Sequence, residues 1–483
     1  MNPKLELITP DLIGRVLGEA YQLLINPGVK VQDEEARTLL KNAGARIEGE
    51  IVKIPDSVID KALNSAPHEF YLYDQEGSPA VHYGGNHVHF DPGSSGVHIL
   101  DLETGRHRPS ESKDLVRIIK VAEMLPAYDA QSTAVVCNEV PKNISDLYRL
   151  YLVLLYSHKP VITGAFTQRS LQAMIDLLAI SAGGRENLSQ KPRAIFDVCP
   201  SPPLIWSDFG AQNLIILARE NVPAELISMP LAGAAAPVTL IGSIVQHAAE
   251  SLSGIAIHQL ANPGAPVVWG GAPAIFDMRY GTTPMGAIET AMIDIAYAQV
   301  GKSLGLPTHC YLGASDAKII DTQAGLESGI STIMGALGGI NMISGAGMLD
   351  FLACQSAEKL VIDAEAIGMA KRLIAGIEER TDPLATIFYE SFNFKGDFLR
   401  QKLTRQLFPL EQFIPSSIID RDSIRGWQEK GQMDTVTRAN KRVNELLDAY
   451  SRPKQDGTII KLLDKYVEDL AREGGMTELP LQE

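Results

Sequence analysis

A chain of 483 residues with 45% hydrophobic and 21% charged residues has the composition of a globular protein with a sizeable core, either one large α/β domain with accretions or two to three domains. Its 58 acidic and 43 basic residues leave a net charge of −15, which excludes a general nucleic-acid binder because phosphate contacts need a basic footprint. Four cysteines lie far apart (Cys137, Cys199, Cys310, Cys354), the N-terminus lacks a basic-then-apolar signal layout, and polar residues such as His247, Glu250 and His258 interrupt the most apolar region, so the expectation is a cytoplasmic protein without disulfides or a membrane span.

In chain order, Leu12, Val16, Ala20, Leu23 and Leu24 follow helical spacing behind the capping residues Thr9 and Asp11. A second helix is predicted over 33–43, a hairpin over 45–54 turning near Gly49, and a third helix from Pro55-Asp56. Glycine-punctuated strands follow, marked by Phe70, Leu72, Val81, Val88, Phe90, Val97 and Ile99. Residues 1–110 therefore read as an N-terminal α+β lobe of short helices and antiparallel strands.

From Ser110 the rhythm changes. Strands are predicted at 132–137, 161–165, 194–199, 225–229, 267–269, 308–312 and 340–344, with helical patterns between them. These runs are apolar on both faces, as in a parallel sheet covered by helices. Seven repeats with an irregular eighth favour a (β/α)8 TIM barrel over residues 111–355. The missing strand falls at 88–91 or after Gly347, and the pattern leaves both open. A doubly wound open sheet is the alternative, though no G-x-G-x-x-G follows a strand. Residues 356–483 are more charged and helical, and are expected to pack on the barrel or form a subunit surface.

Ligands of parallel α/β proteins bind beyond the carboxyl ends of the strands, which directs attention to the loops there. The densest is 313–327, with Ser315, Asp316, Lys318, Asp321, Gln323 and Glu327, although capping of the next helix explains such residues equally well. Across all the loops the rim is rich in aromatic residues and poor in Lys and Arg. That suits a cationic ligand held by aromatic faces and a carboxylate. Phe166, Trp206, Trp269, Phe276, Tyr280 and Tyr311 could form the cage, with Asp277 or Glu250 as the charge, although aromatics at strand ends also serve as core lids. No metal site is expected. His309 and Cys310 are adjacent and would face opposite ways on a strand, and His82, His87, His89 and His98 lack a cysteine or acid at ligand spacing. A serine hydrolase is not supported, since G-x-S-x-G is absent and Ser94-Ser95 and Ser201 read as turn residues.

Several stretches resemble the trimethylamine methyltransferase superfamily: DLETGRHRPSESKDL (101–115), LAGAAAPVTLIGSIVQHAAESLSGIAIHQLANPGAPVVWGG (231–271), FDMRYGTTPMGAIE (276–289), SDAKIIDTQAGLES (315–328), SGAGMLD (344–350) and FIPSSIIDRDSIRGW (413–427). The resemblance covers essentially the whole chain. It implies a TIM-barrel enzyme that moves a methyl group from a methylated amine to the corrinoid (cobalamin) of a partner protein, acting as a homo-oligomer. Archaeal trimethylamine enzymes of this family carry pyrrolysine, whereas this chain has only standard residues; the equivalent position is placed at 309–315. Members without pyrrolysine resemble demethylases of quaternary amines such as glycine betaine. On that reading Arg279, Lys318, Gln323 and His309 would bind a betaine carboxylate. Glu250, Asp277, Asp316, Asp321, Gly345 and Gly347 would shape the pocket or meet the corrinoid partner, and no residue is required as acid or base.

Overall fold

The computed structural model describes residues 3–390, 392, 394 and 396–480. At its centre are eight short strands: β1 (His89–Pro92), β2 (Gln131–Ser132), β3 (Val161–Thr163), β4 (Ala194–Val198), β5 (Ala224–Ser228), β6 (Val267–Gly271), β7 (His309–Cys310) and β8 (Met342–Ala346). They form a five-stranded sheet in the order β6-β5-β4-β3-β2 and a three-stranded sheet in the order β7-β8-β1, parallel throughout. The sheets touch at both margins. A parallel bridge joins Trp269 to Thr308, and on the other side Gly96 bridges Val135 while the Asp129 amide donates to the Phe90 carbonyl at 2.8 Å. The undecided strand is thus the one at 88–91. Beyond Gly347 the chain instead makes a small antiparallel pair, Met348–Leu349 with Cys354–Gln355.

Each strand is followed by a helix: α1 (Ser112–Glu123), α2 (Ser145–Tyr156), α3 (Gln168–Ala182), α4 (Asp208–Glu220), α5 (Leu240–Ala261), α6 (Ile288–Ser303), α7 (Thr322–Leu337) and α8 (Ala357–Ile374). Their starts are written in the sequence as side-chain caps: Thr167, Ser207, Thr239, Asp321 and Ser356 each accept an amide of the first turn. Helix α5 is long and apolar enough to cross a membrane by length and composition, yet 83% of its most apolar window is buried inside the protein, as expected of a core helix.

Among the first 88 residues, helices Pro10–Ile25 and Asp56–Ser65 pack on α5, and the hairpin Phe70–Tyr73/Pro79–Tyr83 sends Leu72, Val81 and Tyr83 between the two sheets. Near the other end, helix Thr435–Ala449 packs on α1 and α8, and helix Gly457–Glu473 on α2 and α3. The expected boundary at residue 110 therefore falls between β1 and the strands with which it pairs.

Candidate active site

Because the strands are buried on both faces, side-chain parity decides what each residue can reach. Val267 and Trp269 of β6 belong to the large core under the helices, whereas Val268 joins Leu72, Val81, Ala130, Ile162, Ile195 and Met342 in a small apolar cluster between the sheets. That cluster is the floor. One pleat further toward the strand ends the inward positions turn polar: Asp91 follows His89, Asp197 follows Ile195, and Ser344 follows Met342.

Here the two sheets exchange hydrogen bonds. The Tyr311 hydroxyl donates to Asp197 Oδ2 at 2.7 Å and lies 3.4 Å from Ser94 Oγ. Tyr83 OH reaches Glu225 Oε1 at 3.5 Å from below. Ser344 Oγ donates to Asp91 and lies 3.0 Å from His309 Nε2, linking the two side chains. Glu225 Oε2 stands 3.8 Å from the same nitrogen. Asp91, Glu225 and His309 are wholly enclosed; Asp91 Oδ2 and His309 Nδ1 have no hydrogen-bond partner, and the Asp197 and Glu225 carboxyl groups lie close enough to share a proton.

Polar atoms left open in one enclosed volume are costly unless a ligand, water or proton satisfies them. Protons are the first answer. Burial, reinforced by the neighbouring carboxylates, pushes Asp91 and Glu225 well above the usual carboxylate range. Burial raises Asp197 only to about 6, because hydrogen bonds from Tyr311 and from the protonated Glu225 carboxyl favour its ionised form. Burial likewise drives His309 down to about 3, so the imidazole is neutral. Asp91 and Glu225 are therefore held as neutral acids, and Asp197 is the first of the three to ionise, below neutrality.

Above it, Tyr311 packs with Ile227, Ala274 and Met285, and the Met285 amide donates to Asp316 at 2.8 Å. Beyond Met285 opens a cavity of about 1040 Å³ lined by Phe276, Asp277, Arg279, Asp316, Lys318, Asp321, Gln323 and Phe351 among others. Exposed apolar side chains surround the strand ends: Phe166, Met229, Val238, Met278, Tyr280 and Ile319.

The residues expected from the sequence thus separate into groups. His309 and Tyr311 stand in the inner cluster, and Phe276, Asp277, Arg279, Asp316, Lys318, Asp321 and Gln323 line the outer cavity. Trp206 and Trp269 do not meet them. Both are fully buried beneath the helices, Trp206 donating Nε1 to Ser253 and Trp269 donating to the Tyr297 carbonyl. Trp269 faces the helices from β6 and Trp206 lies against α5 outside the central sheets, so neither reaches Tyr311. Glu250 is buried on α5, accepting from the Leu204 amide, Gln246 and Ser228, and so braces two loops rather than facing a partner.

The outer polar groups are engaged with one another. Arg279 forks onto Asp277 at 2.6 and 3.1 Å, Lys318 pairs with Asp350 at 3.3 Å over the Phe351 ring, Gln323 bonds Glu327, and Asp321 caps α7. Gly345 and Gly347 serve close packing: a Cβ at Gly345 would meet the Leu312 carbonyl at 2.4 Å, and one at Gly347 would meet Gln355 at 2.0 Å. Phe166 lies half-exposed over Arg149. Among the described residues no three His, Cys, Asp or Glu side chains converge to hold a metal ion.

Asp91, Asp197, Glu225, Tyr83, Ser94 and Ser344 were not foreseen. The available signal was a lone acid inside an apolar strand, as in AIFDV and AELIS. A buried charge in such a run is more informative than an aromatic at its end.

Comparison with known proteins agrees with this architecture. The monomethylamine methyltransferase of Methanosarcina barkeri superposes with a TM-score of 0.54 at 13% identity, over 93% of this chain and 89% of that one. A trimethylamine methyltransferase of Methanosarcina thermophila is 32% identical over 95% of this chain and 96% of its own length. A glycine betaine methyltransferase of Desulfitobacterium hafniense is 28% identical over 98% of both. The family profile described as trimethylamine methyltransferase (MTTB) matches residues 1–475. The chain belongs to the trimethylamine methyltransferase family, and is a methyltransferase of that kind.

Proposed function

We propose that the chain transfers a methyl group from a quaternary amine, glycine betaine foremost, to the corrinoid of a partner protein, and that its two parallel sheets form one (β/α)8 barrel with the inner cluster as the amine site. The observation that carries this reading is the enclosed Asp197–Glu225–Asp91 cluster, capped by Tyr311 and holding an unpartnered Asp91 oxygen. A permanent trimethylammonium cation offers no N–H to such a site. It is held by charge and by an aromatic face, which is what the cluster presents. The exclusively standard residues at 309–315, where pyrrolysine was expected in a trimethylamine enzyme, support the same substrate class, as does the glycine betaine relative.

The protein's work is orientation and charge. Ionised Asp197 and its neighbours fix the ammonium, Tyr311 braces it, and the apolar floor excludes water behind it. One methyl then faces the mouth. A reduced corrinoid would supply the nucleophile there. As the methyl carbon leaves, the C–N electron pair stays on nitrogen and the product is a neutral tertiary amine, so no residue has to give or take a proton. Loss of the positive charge also weakens the product's hold on the carboxylates, which favours release. The exposed apolar side chains around the mouth and the wide cavity beside it suit a large, flat acceptor and the protein that carries it. The exposed Ile377, Leu384, Phe394 and Leu399 suit burial between copies in a homo-oligomer. The test is to incubate the purified protein with chemically reduced cobalamin and a panel of glycine betaine, proline betaine, carnitine and trimethylamine. Methylcobalamin absorbance with a betaine supports the reading. Methylation from trimethylamine alone, or binding of betaine with no transfer, overturns it.

A further inference from the structure

Resting on the quaternary-amine reading, we infer that Arg149 is the carboxylate anchor of the site, holding the acid end of a zwitterion whose ammonium end lies against Asp197 and Tyr311. Arg149 stands in the second turn of α2 and contacts the segments that follow β1, β2 and β3 at Ser95, Thr133 and Phe166. Its side chain is wholly buried, with one terminal nitrogen donating to Ser95 Oγ and the Thr133 carbonyl, each at 3.1 Å. The other terminal nitrogen and Nε are enclosed without any partner. No ion pair is formed with it among the described residues. The nearest acid, Asp146, is spent on the Phe166 amide at 2.7 Å and the Leu147 amide at 3.0 Å.

A buried guanidinium cannot shed its charge, and two free N–H groups on one edge match a carboxylate in shape. Leaving them empty is among the more costly arrangements a fold can hold. The position relative to the ammonium site is set by two consecutive residues: Ser94 contacts the Tyr311 hydroxyl and Ser95 contacts Arg149. Their Cα atoms are about 3.8 Å apart. Ser95 has a positive φ of 60°, a conformation uncommon for serine. The two ends are thus joined through one pair of neighbouring residues, an arrangement suited to a short betaine, in which the carboxylate carbon is two bonds from the nitrogen. Phe166, with its ring 4.9 Å from the guanidinium and half-exposed, closes this end against water. By contrast, Arg279 and Lys318 already have carboxylate partners at 2.6 and 3.3 Å. Arg149 would therefore set the choice between zwitterions and simple alkylammonium cations.

Calorimetry on the full chain and on Arg149→Met and Arg149→Lys, with glycine betaine and with tetramethylammonium, tests this directly. Both variants are expected to lose about tenfold or more in betaine affinity while tetramethylammonium stays within about twofold. Equal losses for the two ligands, or no loss for betaine, would overturn the assignment. Arg149→Lys keeps the charge and so remains measurable if the Met variant does not fold. Thermal shifts with sodium acetate separate this inference from the functional reading. If the unaltered protein binds neither quaternary ligand, the functional reading fails. The anchor then stands only if acetate raises Tm in the unaltered protein and not in the variants, and an acetate shift that is absent or unchanged by substitution removes it.

Discussion

Tyr311 and Trp269 are aromatic residues on or beside neighbouring strands, and both looked like cage walls. Tyr311 lies on the inner face with its hydroxyl on Asp197, whereas Trp269 lies under the helices with His247 and Tyr297 around it. Around Tyr311 the open polar atoms gather at one place between the sheets, whereas Trp269 closes its own hydrogen bond, although the helix side also holds unpartnered atoms at His247, His258 and Asp294.

Substitutions can break this contrast in order of expected size. Asp197→Asn together with Glu225→Gln should lower the methyl-transfer rate at least about 100-fold, roughly 2.7 kcal/mol of transition-state stabilisation. Thermal unfolding should show little loss for that pair, because two neutral isosteres replace two carboxylates the fold strains to bury. Trp269→Ala is the mirror image, expected to cost about 3–5 kcal/mol of stability in denaturant unfolding with ligand affinity unchanged. A similar loss, about 3–5 kcal/mol, is expected for Lys359→Met, which strands Asp363 from its buried partner at 2.6 Å. If Trp269→Ala instead weakened ligand binding in protein that remains folded, the parity argument would fail.

The pH dependence is a finer test. Asp197 has a folded value of about 6, above the roughly 3.9 of an unfolded aspartate. The folded state therefore holds this proton more tightly, so its stabilising contribution is full below about pH 4 and is lost as pH rises through 6. A bound cation reverses the preference by stabilising the carboxylate. Affinity for tetramethylammonium should accordingly rise roughly tenfold between pH 5 and 7. Asp197→Asn should flatten that rise, as titration calorimetry at several pH values would show. Smallest of all is the rim: Met278→Ser and Ile319→Ser should alter stability by no more than about 0.5 kcal/mol, since both are exposed, yet raise the acceptor concentration needed for half-maximal transfer.

Much of the architecture was legible before the structure. Alternating doubly apolar runs and capped helices placed seven strands within a few residues of their observed positions, because buried parallel strands and N-caps leave strong local marks. What was not legible follows from the same physics. In VVWGG every position is buried, so the sequence carries no alternation to reveal that Val268 faces inward and Trp269 outward. The strand at His89–Pro92 hid among antiparallel neighbours because its partner, Met342–Ala346, lies some 250 residues away in sequence. His309 and Tyr311 stand at a strand end, where ligand-facing residues are expected, whereas Asp197 and Glu225 lie inside the apolar runs AIFDV and AELIS, where the loop-based pattern has no mark. Lys318, Gln323 and Arg279 stood out by charge, but that charge is spent on Asp350, Glu327 and Asp277.

The central claim is that a quaternary ammonium group sits on the inner face rather than in the outer cavity. A crystal structure of the protein soaked with glycine betaine addresses it most directly. The account predicts density for the trimethylammonium group beside the Tyr311 ring and the Asp197 and Glu225 carboxylates. A ligand seated instead among Phe276, Asp277 and Arg279, with the inner carboxylates untouched, would contradict it.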